Sequence, residues 1–338
     1  MPEINSSKHF NVIIIGAGPA GVGAAISLSK HGIKSIAIIE RSDKIGGIPS
    51  LYKKKKGGVR TFVRWSRGGI PVFGEDYAQW LEKQLKKTNV QIELQSQVLN
   101  VDAEKKILTL VSPEQGEVNY SADAIVMACG SREKTPTERG WLAGSRPVRV
   151  IFTKQLLGLL DGNNLLPFNN PIIIGSDVIG YAAAAKLKVA GASDVIIVDN
   201  RSRPKCGFFE RLYFRMWSNP NYQGLSVKSI EVTGNKTASG VRLNGKSISC
   251  DGIVICGELI PNSELALNGN IKVELPSRKP VVAEDYQLSE SGWFAAGNML
   301  GGFHGAEWCY FNGQRVARAV INYLSHRPMD LEFKNEKR

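Results

Sequence analysis

Six residues near the start of the chain, Gly16-Ala17-Gly18-Pro19-Ala20-Gly21, have a spacing that does chemistry without any reactive side chain. In G-x-G-x-x-G the first glycine permits a tight turn, the second lets a pyrophosphate approach the backbone, and the third lets a helix pack close to the preceding strand. The helix that opens there presents free N–H groups and a positive dipole end to the phosphates. Glu40 lies 19 residues beyond Gly21, where an acid can hydrogen-bond a ribose.

The elements needed to position these groups are legible around them. Val12 to Ile15 is a continuous apolar run, as in a strand buried on both faces. Apolar residues continue at helical spacing through Leu28, and His31-Gly32 stops the helix. Ile36 to Ile39 is a second buried strand that ends at the acid. Strand, glycine turn, helix, strand and acid together predict a dinucleotide-binding fold.

The pattern recurs. Pro171 to Ile174 reads as a strand, Gly175-Ser176-Asp177-Val178-Ile179-Gly180 as a turn, and a helix runs through Ala190. Val195 to Val198 then leads to Asp199, again 19 residues beyond the last motif glycine. Asp251 to Gly257 (DGIVICG) echoes Asp123 to Gly130 (DAIVMACG). Such a repeat implies two nucleotide-type folds in one chain. The second copy carries Asp177 where the first has Gly18. A carboxylate there would oppose a pyrophosphate by bulk and by charge, so this module is expected to bind NAD(P)H poorly or not at all. A tolerated variant with the ligand shifted is the alternative.

At 338 residues the expectation is two domains with ample cores. The net charge is +12, part of it local in Lys53 to Lys56, Arg60, Arg64 and Arg67. That cluster reads either as a solvated loop or as a surface for an acidic partner or anionic substrate. No stacking pattern or recognition helix points to nucleic acid. No apolar run reaches the length of a membrane span, and the short polar N-terminus is unlike a secretory signal. Cys129, Cys206, Cys250, Cys256 and Cys309 include no C-x-x-C pair. This argues against a disulfide scaffold, zinc or an iron–sulfur cluster held by the chain, and suits a reducing cytoplasm.

Between the repeats, Gly46-Gly47-Ile48 follows the ribose acid, and its double glycine would let backbone pass a bulky planar group. Gly57 to Gly74 is rich in glycine, arginine and aromatics and predicts irregular structure over a site. Glu75 to Lys87 predicts an amphipathic helix with Tyr77, Leu81 and Leu85 on one face. Val90 to Val101 and Lys106 to Leu110 alternate like strands, Val118 to Tyr120 suggests another, and Ala122 to Ala128 is an apolar strand. The chain closes with WFAAGN at Trp293 to Asn298, a glycine-rich turn through Gly305-Ala306, and a helix from about Glu307 to Tyr323 with Gly313, Ala317 and Val320 on its packing side.

GAGPAG with Glu40, ACG at Ala128 to Gly130, the second nucleotide fold and WFAAGN, in that order, resemble the pyridine nucleotide–disulfide oxidoreductase superfamily over nearly the whole chain. The resemblance implies an α/β fold with two Rossmann-like domains, the second (148–259) inserted in the first (1–147 and 260–338). It implies FAD in the first and NAD(P)H in the second. Carried over by residue, Gly16, Gly18, Pro19, Ala20 and Gly21 would cradle the FAD pyrophosphate. Glu40 and Arg41 would take the adenosine end, and Val98 would meet adenine through its backbone. Gly46, Gly47 and Ile48 would pass near the flavin, and Ala128, Cys129 and Gly130 would close over the cofactor. Gly297, Asn298, Gly305 and Ala306 would hold its ribityl and pyrimidine end. Asn298 replaces a commoner aspartate and carries no charge.

The catalytic dithiol of the disulfide reductases is missing after Gly46-Gly47. GGIPS at Gly46 to Ser50, FGEDYAQWL at Phe73 to Leu81, SREKTPTERGW at Ser131 to Trp141 and AAGNMLGGFHGAEWC at Ala295 to Cys309 are similar to the alpha subunits of hetero-oligomeric dye-linked amino-acid and opine dehydrogenases. That branch implies a beta-type flavoprotein partner that oxidises an amine or imino acid, with a small ferredoxin-like part supplying an iron–sulfur cluster. Many alpha chains carry a cysteine-rich cluster domain that the sequence to Arg338 lacks, so a separate small iron–sulfur subunit stays open. The leading expectation is an FAD-binding subunit of such a complex, the isoalloxazine doing the chemistry. A stand-alone NAD(P)H-dependent flavin oxidoreductase and a structural flavin scaffold are the rivals. His304, in the turn before the last helix, is the titratable side chain best placed for acid–base work, with a purely structural role as its alternative.

Overall fold

The protein is described from a computed structural model, which covers residues 8–55, 58–140, 147–224, 230–243 and 245–326. Lys56 and Trp141, named above, lie outside these residues. In chain order, the first part contains β1 (Lys8–Ile15), α1 (Pro19–Lys30) and β2 (Ile36–Ile39). It continues with a hairpin of β3 (Phe62–Arg64) and β4 (Ile70–Val72), α2 (Gly74–Leu85), β5 (Gln91–Glu93), β6 (Gln97–Asp102), β7 (Ile107–Ser112) and β8 (Gly116–Met127). After β9 (Ser131–Glu133) come β10 (Val150–Phe152), α3 (Thr153–Leu157), β11 (Pro171–Ile174), α4 (Val178–Val189), β12 (Ile196–Asp199), α5 (Phe208–Phe214) and β13 (Asn221–Gly224). A three-stranded antiparallel sheet of β14 (Glu231–Thr233), β15 (Gly240–Leu243) and β16 (Lys246–Ser249) precedes β17 (Gly252–Ile255). The chain returns through β18 (Leu259–Pro261), α6 (Glu264–Asn268), a small pair β19 (Val273–Glu274) and β20 (Lys279–Pro280), then β21 (Trp293–Ala295) and α7 (Ala306–Ser325).

β5, β2, β1, β8 and β21 form a parallel array, and β7 and β6 continue from β8 as an antiparallel meander. β10, β17, β11, β12 and β13 form a second sheet, wholly parallel. The fold is α/β, with the second nucleotide fold inserted between β8 and β21 of the first. Val12 to Ile15 of β1 and Pro171 to Ile174 of β11 are apolar throughout because helices or further layers cover both faces. Val12, Ile14 and Ala124 face α1, α2 and α7, while Ile13, Ile15 and Ile125 pack with Leu108, Tyr120 and Trp293 on the other side.

Three segments differ from the sequence expectation. Val118 to Tyr120 and Ala122 to Ala128 belong to one 12-residue strand, β8. Its first half alternates in burial and its second half is buried on both faces, so the hydrophobic pattern changes period without a break in the strand. Val90 to Val101 is interrupted, because the turn at Leu94–Ser96 redirects the chain from β5 to β6. Gly57 to Gly74 is not wholly irregular, since it contains the β3–β4 hairpin.

The last helix is seated by backbone contact. A Cβ on Gly23 would strike the Tyr310 carbonyl, and one on Gly313 would strike the Ala20 carbonyl. α1 and α7 therefore touch main chain to main chain, which only residues without side chains allow. Asp161, buried between α3 and β11, joins the two halves. Its carboxylate accepts the Lys53 backbone N–H at 3.1 Å and pairs with Lys186 at 2.6 Å and Lys55 at 3.7 Å. Gly313→Ala places its methyl against a carbonyl that cannot rotate away and is expected to cost about 1–3 kcal/mol. Gly162→Ala enters open space and serves as the control. Thermal melts of the two variants should show a clear loss for the first and little change for the second.

Candidate functional site

The site is built at the carboxyl ends of β1, β2, β8 and β21. Gly16 takes φ +108°, a left-handed conformation suited to glycine, and donates its N–H to the Ile39 carbonyl at 2.8 Å. Gly21 sits so close beneath this turn that a Cβ would strike the Gly16 carbonyl. The Glu40 carboxylate is buried and braces the turn: one oxygen accepts the Ala17 N–H and the other the Ser42 N–H, each at 2.8 Å. Two of its acceptor positions are thus engaged and the others stay open to a hydroxyl. The Ser96 N–H donates to the Glu40 carbonyl at 3.0 Å, which brings Gln97-Val98 alongside the acid. Val98 is buried, and its carbonyl accepts from Gln97 Nε2. Gly46 donates to the Ala17 carbonyl at 2.9 Å, and Gly47 packs against Gly18. Ile48 and Arg41 are exposed beside them.

Ala128 extends β8 and donates to the Ile15 carbonyl at 2.9 Å. Asn262 holds the next two residues, its side-chain amide donating to the Cys129 carbonyl at 2.8 Å and its backbone N–H to Gly130 at 3.0 Å. At the other end, buried Asn312 on α7 accepts the Gly297 N–H at 2.7 Å. The Asn298 side chain clamps a turn: its oxygen accepts the His304 N–H at 3.0 Å and its amide donates to the His304 carbonyl at 3.3 Å. Cys309 Sγ also donates to the Asn298 oxygen at 3.6 Å, so Asn298 shapes the turn that leads into Gly305 and Ala306 with both acceptor lone pairs engaged. The His304 ring stacks on Trp308 with centroids 3.7 Å apart and planes at 17°. Burial pulls its pKa below the usual imidazole value, which leaves it neutral near pH 7.

The residues present suit an anionic dinucleotide. A Cβ at Gly18, Gly130 or Gly305 would meet nothing within 4 Å, so these glycines border open space. α1 and α7 both begin without a side-chain cap, leaving their first N–H groups and dipoles facing it.

The second motif repeats these bonds with one change. Gly175 takes φ +122°, a Cβ on Gly180 would strike the Gly175 carbonyl, and Asp199 accepts the Ser176 N–H at 2.9 Å and the Arg201 N–H at 3.0 Å. Asp177, however, caps its own helix. One carboxylate oxygen accepts the Ile179 and Gly180 N–H groups at 3.0 and 3.2 Å, and the other packs on Gly257. Burial raises its pKa, opposed by these same hydrogen bonds. The groups that would meet a phosphate are used within the chain.

The basic loop is a correction. Lys53 pairs with Glu75 at 3.2 Å, Lys54 with Asp76 at 3.3 Å, and Lys55 with Asp161. Arg64 is buried, its guanidinium 4.0 Å from the centre of the Trp80 ring. Lys53 to Lys55 and Arg64 thus form no free rim, because carboxylates on α2 and between α3 and β11 fold onto the lysines and Trp80 covers the arginine, whereas Arg60 and Arg67 are exposed. Sequence reasoning missed the surroundings of Arg64. Its Nε, the Tyr77 hydroxyl and Thr61 Oγ1 are buried without hydrogen-bond partners. Arg64 and Tyr77 lie near Glu307, which accepts from the Ser66 hydroxyl and N–H. The signal available in the sequence was an arginine spaced for a strand opposite the aromatic face of the next helix. The cysteines are free thiols, and burial pushes Cys129, Cys206 and Cys309 each up to about 12, so none is a thiolate at neutral pH. Among the described residues no group of His, Cys, Asp and Glu could hold a metal ion, and no helix is long and apolar enough to cross a membrane.

Two nucleotide folds, one nested in the other, with an open glycine cradle in the first, define a flavin-dependent oxidoreductase. Residues 10–320 match the pyridine nucleotide-disulphide oxidoreductase family, and the chain belongs to it. It is 25% identical to the soluble pyridine nucleotide transhydrogenase of Vibrio atlanticus (strain LGP32), covering 96% of this chain and 73% of the relative. It is 23% identical to an opine oxidase subunit of Agrobacterium tumefaciens (strain Ach5), covering 93% and 66%. Among solved structures, thioredoxin reductase of T. acidophilum superposes with a TM-score of 0.70 at 20% identity, over 94% of this chain and 99% of that one. L-proline dehydrogenase from P. horikoshii gives 0.68 at 17%, over 96% and 57%. At such identities the solved structures show the fold alone. The family's cofactor is FAD, which when bound supplies electron transfer through its isoalloxazine.

Since a side chain at position 18 would project into open space, Gly18→Glu should fold. It would put a carboxylate at the α1 N-terminus, where it takes the free N–H groups and repels a phosphate by like charge. The variant is expected to melt like the wild type and to retain less than about a tenth of its flavin, read from the visible spectrum. A full yellow spectrum would show that this turn does not hold the pyrophosphate.

Proposed function

We propose that the chain is the FAD-binding subunit of a multi-subunit amine, amino-acid or opine dehydrogenase, taking part in electron transfer from a partner flavoprotein that oxidises the substrate. FAD would lie in the domain made of residues 1–147 and 260–338. Gly16, Gly18, Pro19, Ala20, Gly21 and the α1 N-terminus would hold its pyrophosphate, and Glu40 and Arg41 its adenosine ribose, with Val98 at the adenine. Gly46, Gly47, Ile48, Ala128, Cys129 and Gly130 would wall the cofactor, while Gly297, Asn298, Gly305 and Ala306 would place the α7 N-terminus at the flavin. The domain 148–259 would serve as a scaffold rather than a hydride entrance. His304, neutral and stacked, would carry a proton only if it reaches the bound substrate or cofactor; otherwise it orients the turn.

One observation carries this reading: the Asp177 carboxylate occupies the N–H groups of Ile179 and Gly180. A chain whose second fold fills its own phosphate position needs a reductant from elsewhere, and its described thiols are free and protonated. The likeness to opine oxidase subunits supports a place in a complex. A small iron–sulfur protein would complete it. The likeness to soluble transhydrogenases favours a second reading, a stand-alone NAD(P)H-dependent flavin oxidoreductase.

Titration calorimetry separates the two. The FAD-loaded chain is expected to bind neither NADH nor NADPH more tightly than about 1 mM. It should also reduce no dye with a panel of secondary amines, imino acids and opines until co-expressed with the genes that flank its own. Rapid bleaching of the flavin by NADH, or turnover by the isolated chain, would establish the second reading instead.

A further inference from the structure

α5 is apolar on both of its faces although it lies at the surface. Inward, Phe214 is buried, and Tyr213 and Trp217 pack against each other at 5.2 Å on the core of the second fold. Outward, Phe208, Phe209, Leu212 and Met216 are 66%, 81%, 51% and 66% exposed. Their spacing, with Leu212 four residues after Phe208 and Met216 four after Leu212, makes them one stripe along the helix and the turn that follows it. The Phe208 and Phe209 rings touch edge to face at 5.6 Å. An exposed apolar stripe marks a contact surface.

The glycine cradle of the first fold is no candidate to cover this stripe, because α5 packs on α4 and the second sheet, away from it. The stripe has a charged frame. Residues 201–216 hold five Lys or Arg (Arg201, Arg203, Lys205, Arg211, Arg215) and one acid, Glu210, and Arg203, Lys205 and Arg215 are exposed. Unlike Lys53 to Lys55, whose charges are met by carboxylates of this chain, this group keeps a net positive excess. The Tyr213 hydroxyl donates to the Arg60 carbonyl at 2.6 Å, which ties α5 to the loop that leads into the β3–β4 hairpin and Arg64.

We propose that the outer face of α5 is the docking surface for the partner flavoprotein, which meets it with an apolar patch framed by Asp and Glu. The inference rests on the reading above, in which this chain works within a complex, and supplies its contact. Aromatic side chains framed by guanidinium groups have the composition of an interface centre, where Phe and Arg are enriched and the charges steer association. The hydrogen bond from Tyr213 gives the contact a mechanical route to the hairpin beside α7.

The test uses the full chain, tagged and co-expressed with the genes that flank its own. Wild type is expected to co-purify with a flavin-carrying partner. The double variant Phe209→Asp, Leu212→Asp should weaken that association by about 100-fold, the scale of losing central aromatic anchors, with FAD content and melting temperature unchanged because both side chains are solvent-facing. Arg203→Glu with Arg215→Glu should slow association and flatten its dependence on salt. If the Asp double variant binds the partner with unchanged affinity, the α5 assignment is overturned and the complex stands. If wild type recovers no such partner, the complex and its docking face fall together. If α5 instead mediates sedimentation with phosphatidylcholine–phosphatidylserine vesicles, or a self-association that the Asp variant abolishes, the occupant is a membrane or a second copy and the proposal is overturned.

Discussion

Main-chain contact between α1 and its neighbours is the constraint on which the rest of the molecule depends. Gly21 lets α1 start directly under the Gly16 turn, and Gly23 and Gly313 let α7 lie against it backbone to backbone. A side chain at any of the three would force the helices apart by the width of a methyl group or more. That separation would move the start of α7, and with it Gly297, whose N–H is held by Asn312, and the 298–304 turn clamped by Asn298. Two uncapped helix N-termini face the same cleft because three glycines permit the approach. Electrostatically, this concentrates partial positive charge where an anionic dinucleotide would lie.

The second fold shows how little must change to close such a site. Its turn, its ribose acid and its strand register repeat the first: Met127, Ile15 and Ile39 align across one sheet as Ile255, Ile174 and Val198 align across the other. The carboxylates of Glu40 and Asp199 brace the two turns with equivalent bonds. The difference is one side chain. At Gly18 the helix N-terminus is open, whereas at Asp177 a carboxylate supplies the negative charge that the helix end attracts, and buries it against Gly257. An N-cap acid is a stabilising choice for a helix. The same bond makes the fold sturdier and its phosphate position worse, which suits a domain retained for shape.

Legibility in the sequence followed the range of the interactions. The β1–turn–α1–β2 unit and its acid could be read because all its signals fall within about 30 residues and each is set by local sterics. The repeat was readable for the same reason. β8 was divided because the chain passes from a one-sided to a two-sided environment within a single strand, and periodicity reports environment as much as element. Lys53 to Lys55 looked like free charge because their partners, Glu75, Asp76 and Asp161, are distant in sequence. Arg64 looked like part of the same surface until α2 brought Trp80 over it. The roles of Asn298 and His304 in the closing turn depend on hydrogen bonds to backbone, which leave no trace in residue spacing.

Both halves hold unpaired groups, and of two kinds. Buried polar atoms without partners include Arg64 Nε, the Tyr77 hydroxyl and Thr61 Oγ1 in the first fold and Arg211 Nε and Ser218 Oγ in the second. Exposed apolar side chains line α5. Both are costly when left alone, the first because a buried donor forfeits its water and the second because hydrocarbon keeps it. Tyr213 joins the regions through Arg60, so an event that covers α5 acts on the segment that enters the hairpin. In the proposed complex, a partner that covers α5 would also restrain the loop that Tyr213 holds through Arg60.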